Sequence, residues 1–172
     1  MESTNHQKNR EFLAAAYDDM SKAEQMLKAD PQFLHYRSSI GETVFHYLVI
    51  ENEIEKAAKL LSWGADINTQ DNFGATPLLH AVMLSNLNLV KWLVQRGAIL
   101  EPKNINGETA LVHATSNERA AIFQFLISLP REHPIDAYYD DFTAQKIYDN
   151  EELVMRSYLI ELGLTKRFND LE

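Results

Sequence analysis

Apolar residues in the middle of the chain fall at helical spacing. After a polar break at Ser85-Asn86, Leu87, Leu89, Val90, Leu93 and Val94 recur at three- and four-residue steps and predict one amphipathic helix. Gly97, which tolerates positive φ, marks the end of that helix. Upstream, Gly74-Ala75-Thr76-Pro77-Leu78-Leu79-His80-Ala81 opens a shorter helix, with Thr76 placed to cap it and Pro77 suited to its first turn. The predicted unit is a helix, a tight turn, a second helix and an extended loop that reaches to the next glycine.

This unit recurs. Gly41, Gly74 and Gly107 follow one another at 33 residues, and Thr43, Thr76 and Thr109 each stand two residues later. A Gly-Ala pair repeats at the same interval, as Gly64-Ala65 and Gly97-Ala98. A fixed period of this length is the signature of a stacked repeat architecture.

The repeated residues resemble the ankyrin repeat, with its Gly-x-Thr-Pro-Leu-His-x-Ala opening and Leu-Leu-x-x-Gly-Ala-Asp-Ile/Val-Asn close. Leu60-Leu61-Ser62-Trp63-Gly64-Ala65-Asp66-Ile67-Asn68 is nearly the whole closing motif, and Thr76-Pro77-Leu78 with Ala81 is most of the opening one. The match is strongest from about residue 38 to 130. Three departures stand out. The family histidine occurs only as His46. Leu79 and Val112 take its place later, with His80 and His113 one residue beyond. Ser128-Leu129-Pro130 replaces the third Gly-Ala-Asp close, which predicts an irregular loop after it.

The resemblance implies an all-α ankyrin-repeat solenoid of about five stacked helix-turn-helix units with extended inter-repeat loops. They are placed at about 5–37, 38–70, 71–103, 104–137 and 138–168, within a single domain spanning 1–172. No single unit can bury its own apolar face, so neighbours stack, and the outermost units turn a polar side to water. Leu60, Leu61, Leu78, Leu93, Val94, Leu111, Leu126 and Ile127 occupy equivalent apolar positions and are predicted core. Trp63 and Trp92 receive no site role, and Asn169 to Glu172 are expected to fray.

Composition narrows the chemistry. At 172 residues and 45% hydrophobic the chain can bury a real core. With no Cys, disulfides, thiolate metal sites and Cys nucleophiles are excluded. The first residues lack the basic start and apolar run of a secretory signal, and no apolar stretch approaches the ~20 residues of a membrane span. A cytoplasmic location, with no membrane partner, is the expectation. Sixteen basic residues against 25 acidic ones give a net charge of −9, which repels phosphate backbones and argues against nucleic acid as a partner.

Catalytic patterns are lacking. No His-Glu-x-x-His, nucleophile elbow or Gly-rich phosphate loop occurs. His80 and His113 lie on successive repeats, about 10 Å apart at helix-packing distance, too far to share a metal. His46 is assigned, from the resemblance, a structural bond to the loop of a neighbouring repeat. Asp18-Asp19, Asp140-Asp141 and Glu151-Glu152 read as solvated ends or partner contacts, not catalysts. No cofactor, metal or catalytic residue is expected.

The resemblance also implies that partners contact the loop tips and the first helix of each pair, which form a concave face. The candidate partner-binding residues are Tyr36, Ile40, Glu42, Asn72, Phe73, Ile105, Asn106, Glu108, Tyr138 and Tyr139 at the tips. Tyr17, Ile50, Met83 and Leu84 join them from the first-helix ends. Large apolar residues clustered on an exposed face have the composition of interface anchors. For Ile40 and Ile105 an equal alternative is closure of gaps between repeats; Phe73 and Met83 are the preferred anchors. The function expected is a monomeric, non-catalytic module binding a protein or peptide, in a narrower form an inhibitor or antidote of a basic partner. The alternative is an enzyme or small-ligand-binding protein with a pocket in the irregular 130–142 stretch, which includes His133.

Overall fold

A computed structural model describes residues 2–115 and 119–129. Within them the chain forms four helix pairs: α1 (Glu2–Asp18) with α2 (Met20–Ala29), α3 (Val44–Ile50) with α4 (Ile54–Ser62), α5 (Pro77–Met83) with α6 (Leu87–Val94), and α7 (Ala110–His113) with α8 (Ala120–Ile127). A 3₁₀ turn, Pro31–Leu34, leads out of the first pair. The expected fifth pair at 138–168, and the irregular stretch before it, lie outside the described residues.

The first helices α3, α5 and α7 start where the repeated threonine dictates. Thr43, Thr76 and Thr109 are extended N-caps. Thr76 Oγ1 accepts from the Leu79 amide at 3.2 Å, and Thr109 Oγ1 from that of Val112 at 3.3 Å. These bonds satisfy backbone donors the helix leaves open. The second helices end as their glycines allow. Gly97 N–H donates to Val94 and Ala98 N–H to Leu93, the paired bonds that close a helix through a left-handed residue.

First helices stack in one row, α1 on α3, α3 on α5 and α5 on α7, and α6 packs on α8 in the second row. The core runs continuously between the rows. Leu48, Leu60, Leu78, Leu79, Leu89, Leu93, Phe123 and Leu126 are fully buried, and Ala57, Ala81 and Ala114 let the helices approach closely. Each buried leucine or phenylalanine contributes roughly 1.5–3 kcal/mol of transfer free energy. Of the predicted core, Leu61 and Val94 sit half-buried at its margin.

The loops stack as well. At each tip a tight turn is closed by paired bonds: Gly41 to Ser38 and Ser38 to Glu42, then Gly74 to Asp71 and Asp71 to Ala75, then Gly107 to Asn104 and Asn104 to Glu108. Adjacent tips are joined by Asn72 N–H to Ile40 C=O at 3.0 Å and Ile105 N–H to Phe73 C=O at 2.8 Å. Gln70, one period after Arg37, spans two loops by donating to the Gly74 and Lys103 carbonyls. Arg37 does the same one repeat earlier, through the carbonyls of Gly41 and Gln70.

The first pair closes the N-terminal end. Phe12 and Phe33 stack 5.3 Å apart, and Asn9, buried, donates to the carbonyls of Tyr36 and Glu42. Lys8 Nζ bonds both Asp30 and the Tyr36 hydroxyl, and that hydroxyl donates in turn to Asp30 at 2.8 Å.

Candidate functional site

One column of side chains fixes each loop against its first helix. In the repeat at 71–103 Asp71 Oδ1 accepts from the amides of Phe73 and Ala75, while Oδ2 meets His80 Nε2 of α5 at 3.1 Å. One period later Asn104 Oδ1 accepts from the amides of Asn106 and Glu108, and His113 Nε2 of α7 meets Glu108 Oε2 at 2.8 Å. The column places the binding candidates. Met83 and Leu84 stand three and four residues after His80, so they continue along the helix side that faces the loops.

Burial divides the predicted contacts. Ile105 (69% exposed), Phe73 (51%) and Ile40 (42%) project from the tips, and Leu84 (50%) and Met83 (47%) from the end of α5. Asn106 is exposed beside Ile105, and Ile50 is half-buried one period before Met83. Tyr17, one period before Ile50, lies under Lys56 Nζ at 4.5 Å from its ring. Burial first, and then the carboxylates of Glu51 and Glu53, push its phenol pKa up.

Other candidates are engaged within the fold. Tyr36 directs its hydroxyl into the Lys8–Asp30 network and its ring edge against Phe33. Glu42 and Glu108 are buried at the feet of the loops, and Asn72 Nδ2 donates to the Ser39 carbonyl, bracing adjacent tips. Tyr138 and Tyr139 lie outside the described residues.

Sequence spacing did not bring Glu42, Asp71 and His80 together, yet one ligand-type atom of each lies within 4.8 Å of the others. The trio could offer two oxygens and a nitrogen to a cation. Asn104 and His113, one period after Asp71 and His80, are likewise within hydrogen-bond distance at 3.3 Å, which accounts for Asp71 and His80 as loop clamps. The signal for this role was present in the sequence as the 33-residue recurrence of Asp71 with Asn104 and of His80 with His113.

His46 is buried and bridges two repeats. Its Nδ1 accepts from the Thr43 amide at 3.2 Å, and its Nε2–H faces the Ala75 carbonyl of the next loop at 3.3 Å. The amide is solely a donor and the carbonyl solely an acceptor, so the ring is neutral with its proton on Nε2. The expected bond to a neighbouring loop is present. A cleft of about 120 Å³ between Arg37, Thr43, Asp66 and Thr69 is well below the roughly 300 Å³ at which small-molecule sites begin. Among the described residues no helix is long and apolar enough to cross a membrane.

Comparisons with known proteins agree with this geometry. The family model for ankyrin repeats (3 copies) matches residues 45–138. A putative ankyrin repeat protein of Rickettsia felis is 30% identical over 126 residues, 72% of this chain and 41% of its own length. NF-kappa-B inhibitor alpha of Sus scrofa is 35% identical over 111 residues, 61% of this chain and 35% of that protein. The SMC5-SMC6 complex localization factor protein 1 of Homo sapiens is 37% identical over 95 residues, 54% of this chain and 9% of its length. The chain thus spans less than half the length of these relatives. With the 33-residue period, the capped helix pairs and the stacked loops, the match identifies the chain as a member of the ankyrin-repeat family.

Proposed function

We propose that this chain is a non-catalytic interaction module that binds a protein or peptide on the face formed by its loop tips and first-helix ends. The observation that carries the reading is the set of exposed apolar side chains Ile40, Phe73, Met83, Leu84 and Ile105 on tips held rigid by inter-loop hydrogen bonds. Pre-ordered anchors of this kind lose little entropy on binding. Tyr17, Ile50 and Asn106 extend the surface. Tyr36, Glu42, Asn72 and Glu108 support it from beneath.

Family membership favours the same class, since ankyrin repeats are protein-interaction modules. The narrower role is inhibition of a basic partner. Two observations support it: the net charge of −9, and similarity to a protein named as an inhibitor, NF-kappa-B inhibitor alpha. Asp18, Asp19 and Glu51 lie exposed around Tyr17 and Ile50 and would meet basic residues flanking an apolar segment.

Affinity capture from lysate, wild type beside a Phe73→Ala/Met83→Ala variant of equal folding, tests the reading. A partner held by the wild type and weakened at least about tenfold by the variant is expected, because hot-spot truncations typically cost 1 kcal/mol or more each. Equal retention by both proteins would move the site off this face. Binding that weakens as salt is raised supports a basic partner; indifference to salt contradicts it.

A further inference from the structure

The second-helix row carries a feature that the loop face does not use. Lys59 Nζ lies 5.7 Å from the centre of the Trp63 ring, Arg96 Cζ 4.3 Å from that of Trp92, and Lys91 Nζ 5.6 Å from that of Phe125. These pairs are in register. Lys59 and Trp92 occupy the same position of successive repeats, as do Trp63 and Arg96, so cation and ring exchange places from one repeat to the next. Phe125 follows Trp92 by one further period. Three such cation–π contacts fall between residues 59 and 125.

Local charge makes the strip unusual in an acidic protein. After Glu55, the second helices α4, α6 and α8 contain no carboxylate at all. Lys28 and Lys56 are paired with Glu24 and Glu53. Among the described residues, Lys59, Lys91 and Arg96 form no salt bridge. The three rings are half-buried against the core, each with a cation beside it.

We propose that the outer surface of α4 and α6, with the turn after α6, is a second docking site, which takes an extended acidic segment of a partner protein with its carboxylates on Lys59, Lys91 and Arg96. Stacked helices lie about 10 Å apart, so an extended segment with carboxylates on one face, at alternate positions, reaches Lys59 on α4 and the neighbouring Lys91 and Arg96 at α6. Arg96 offers the fork that pairs with a carboxylate through two bonds. Nucleic acid fits less well. Its bases need open ring faces to stack on, and here each ring face already carries a cation. A long phosphate chain would also run over the carboxylate-rich loops, while a short acidic segment senses mainly charges within a Debye length of about 10 Å.

The test is fluorescence anisotropy with a labelled Gly/Ser peptide bearing Glu at every second position, beside its Gln counterpart and a single-stranded DNA oligonucleotide. The Glu peptide binds the whole chain at low salt. A Lys59→Gln/Lys91→Gln/Arg96→Gln variant, confirmed folded by circular dichroism, binds it roughly tenfold more weakly, since each exposed ion pair contributes up to about a factor of five. The Phe73→Ala/Met83→Ala variant binds it as the wild type does, which separates this site from the loop face. No binding of the Glu peptide, equal binding of the Gln peptide, or equal binding by the triple variant would overturn the proposal. Tighter binding of the oligonucleotide would replace the acidic segment with nucleic acid.

Discussion

His46 shows how one buried side chain joins two repeats and makes their union depend on pH. Burial first, and then the neighbouring His80, lower its pKa from 6.5 to about 4. Between those values the unfolded chain takes up a proton that the folded chain refuses. The stability supplied by the neutral ring is therefore complete above pH 6.5 and is lost as the pH falls towards 4. His113, depressed by burial and by Arg119, acts in the same direction. The His46 contribution is of order 3 kcal/mol. Urea midpoints are expected to fall between pH 7 and pH 5 in the wild type and to fall less in a His46→Gln variant. Identical slopes in the two proteins would show that His46 does not couple protonation to folding.

At the scale of elements, the glycines have unequal tasks. Gly97 has φ +93°, and a Cβ added there would meet nothing within 4 Å. Gly74 has φ +74°, and its Cβ would fall 2.9 Å from Cα of Asn104 in the next loop. Gly97→Ala is therefore expected to cost about 1–2 kcal/mol for the left-handed backbone alone. Gly74→Ala should cost distinctly more, because the neighbouring loop must also shift. Thermal melts of the two variants decide this, and a larger loss for Gly97→Ala would contradict the tight stacking of the tips. The positions of both glycines, like the Thr-capped helix starts, were legible in the sequence, because turns and caps are determined by adjacent residues. The different burdens were not, because the obstacle to Gly74 stands 30 residues away in the next repeat.

The same distinction holds across the whole molecule. Phe73 and Met83 are exposed as their repeat positions implied, because no described residue covers these positions at the tips and helix ends. Tyr36 resembles them in the sequence but is drawn inward by Lys8, 28 residues away, whose ammonium bonds its hydroxyl. Glu42 and Glu108 look like surface acids, yet each occupies the residue before a capping threonine, where the loop folds onto the helix row and buries it. The exchange of cation and tryptophan between successive repeats was visible as sequence, but its meaning required the second helices to be placed side by side.

Hydrogen–deuterium exchange of the chain with and without its captured partner tests most directly whether the loop and first-helix face is the binding surface. The partner should slow exchange at residues 39–42, 72–75 and 105–108 and at the turn after Met83, leaving α4 and α6 unchanged. Protection confined to the second helices, or absent from all three tips, would contradict the account.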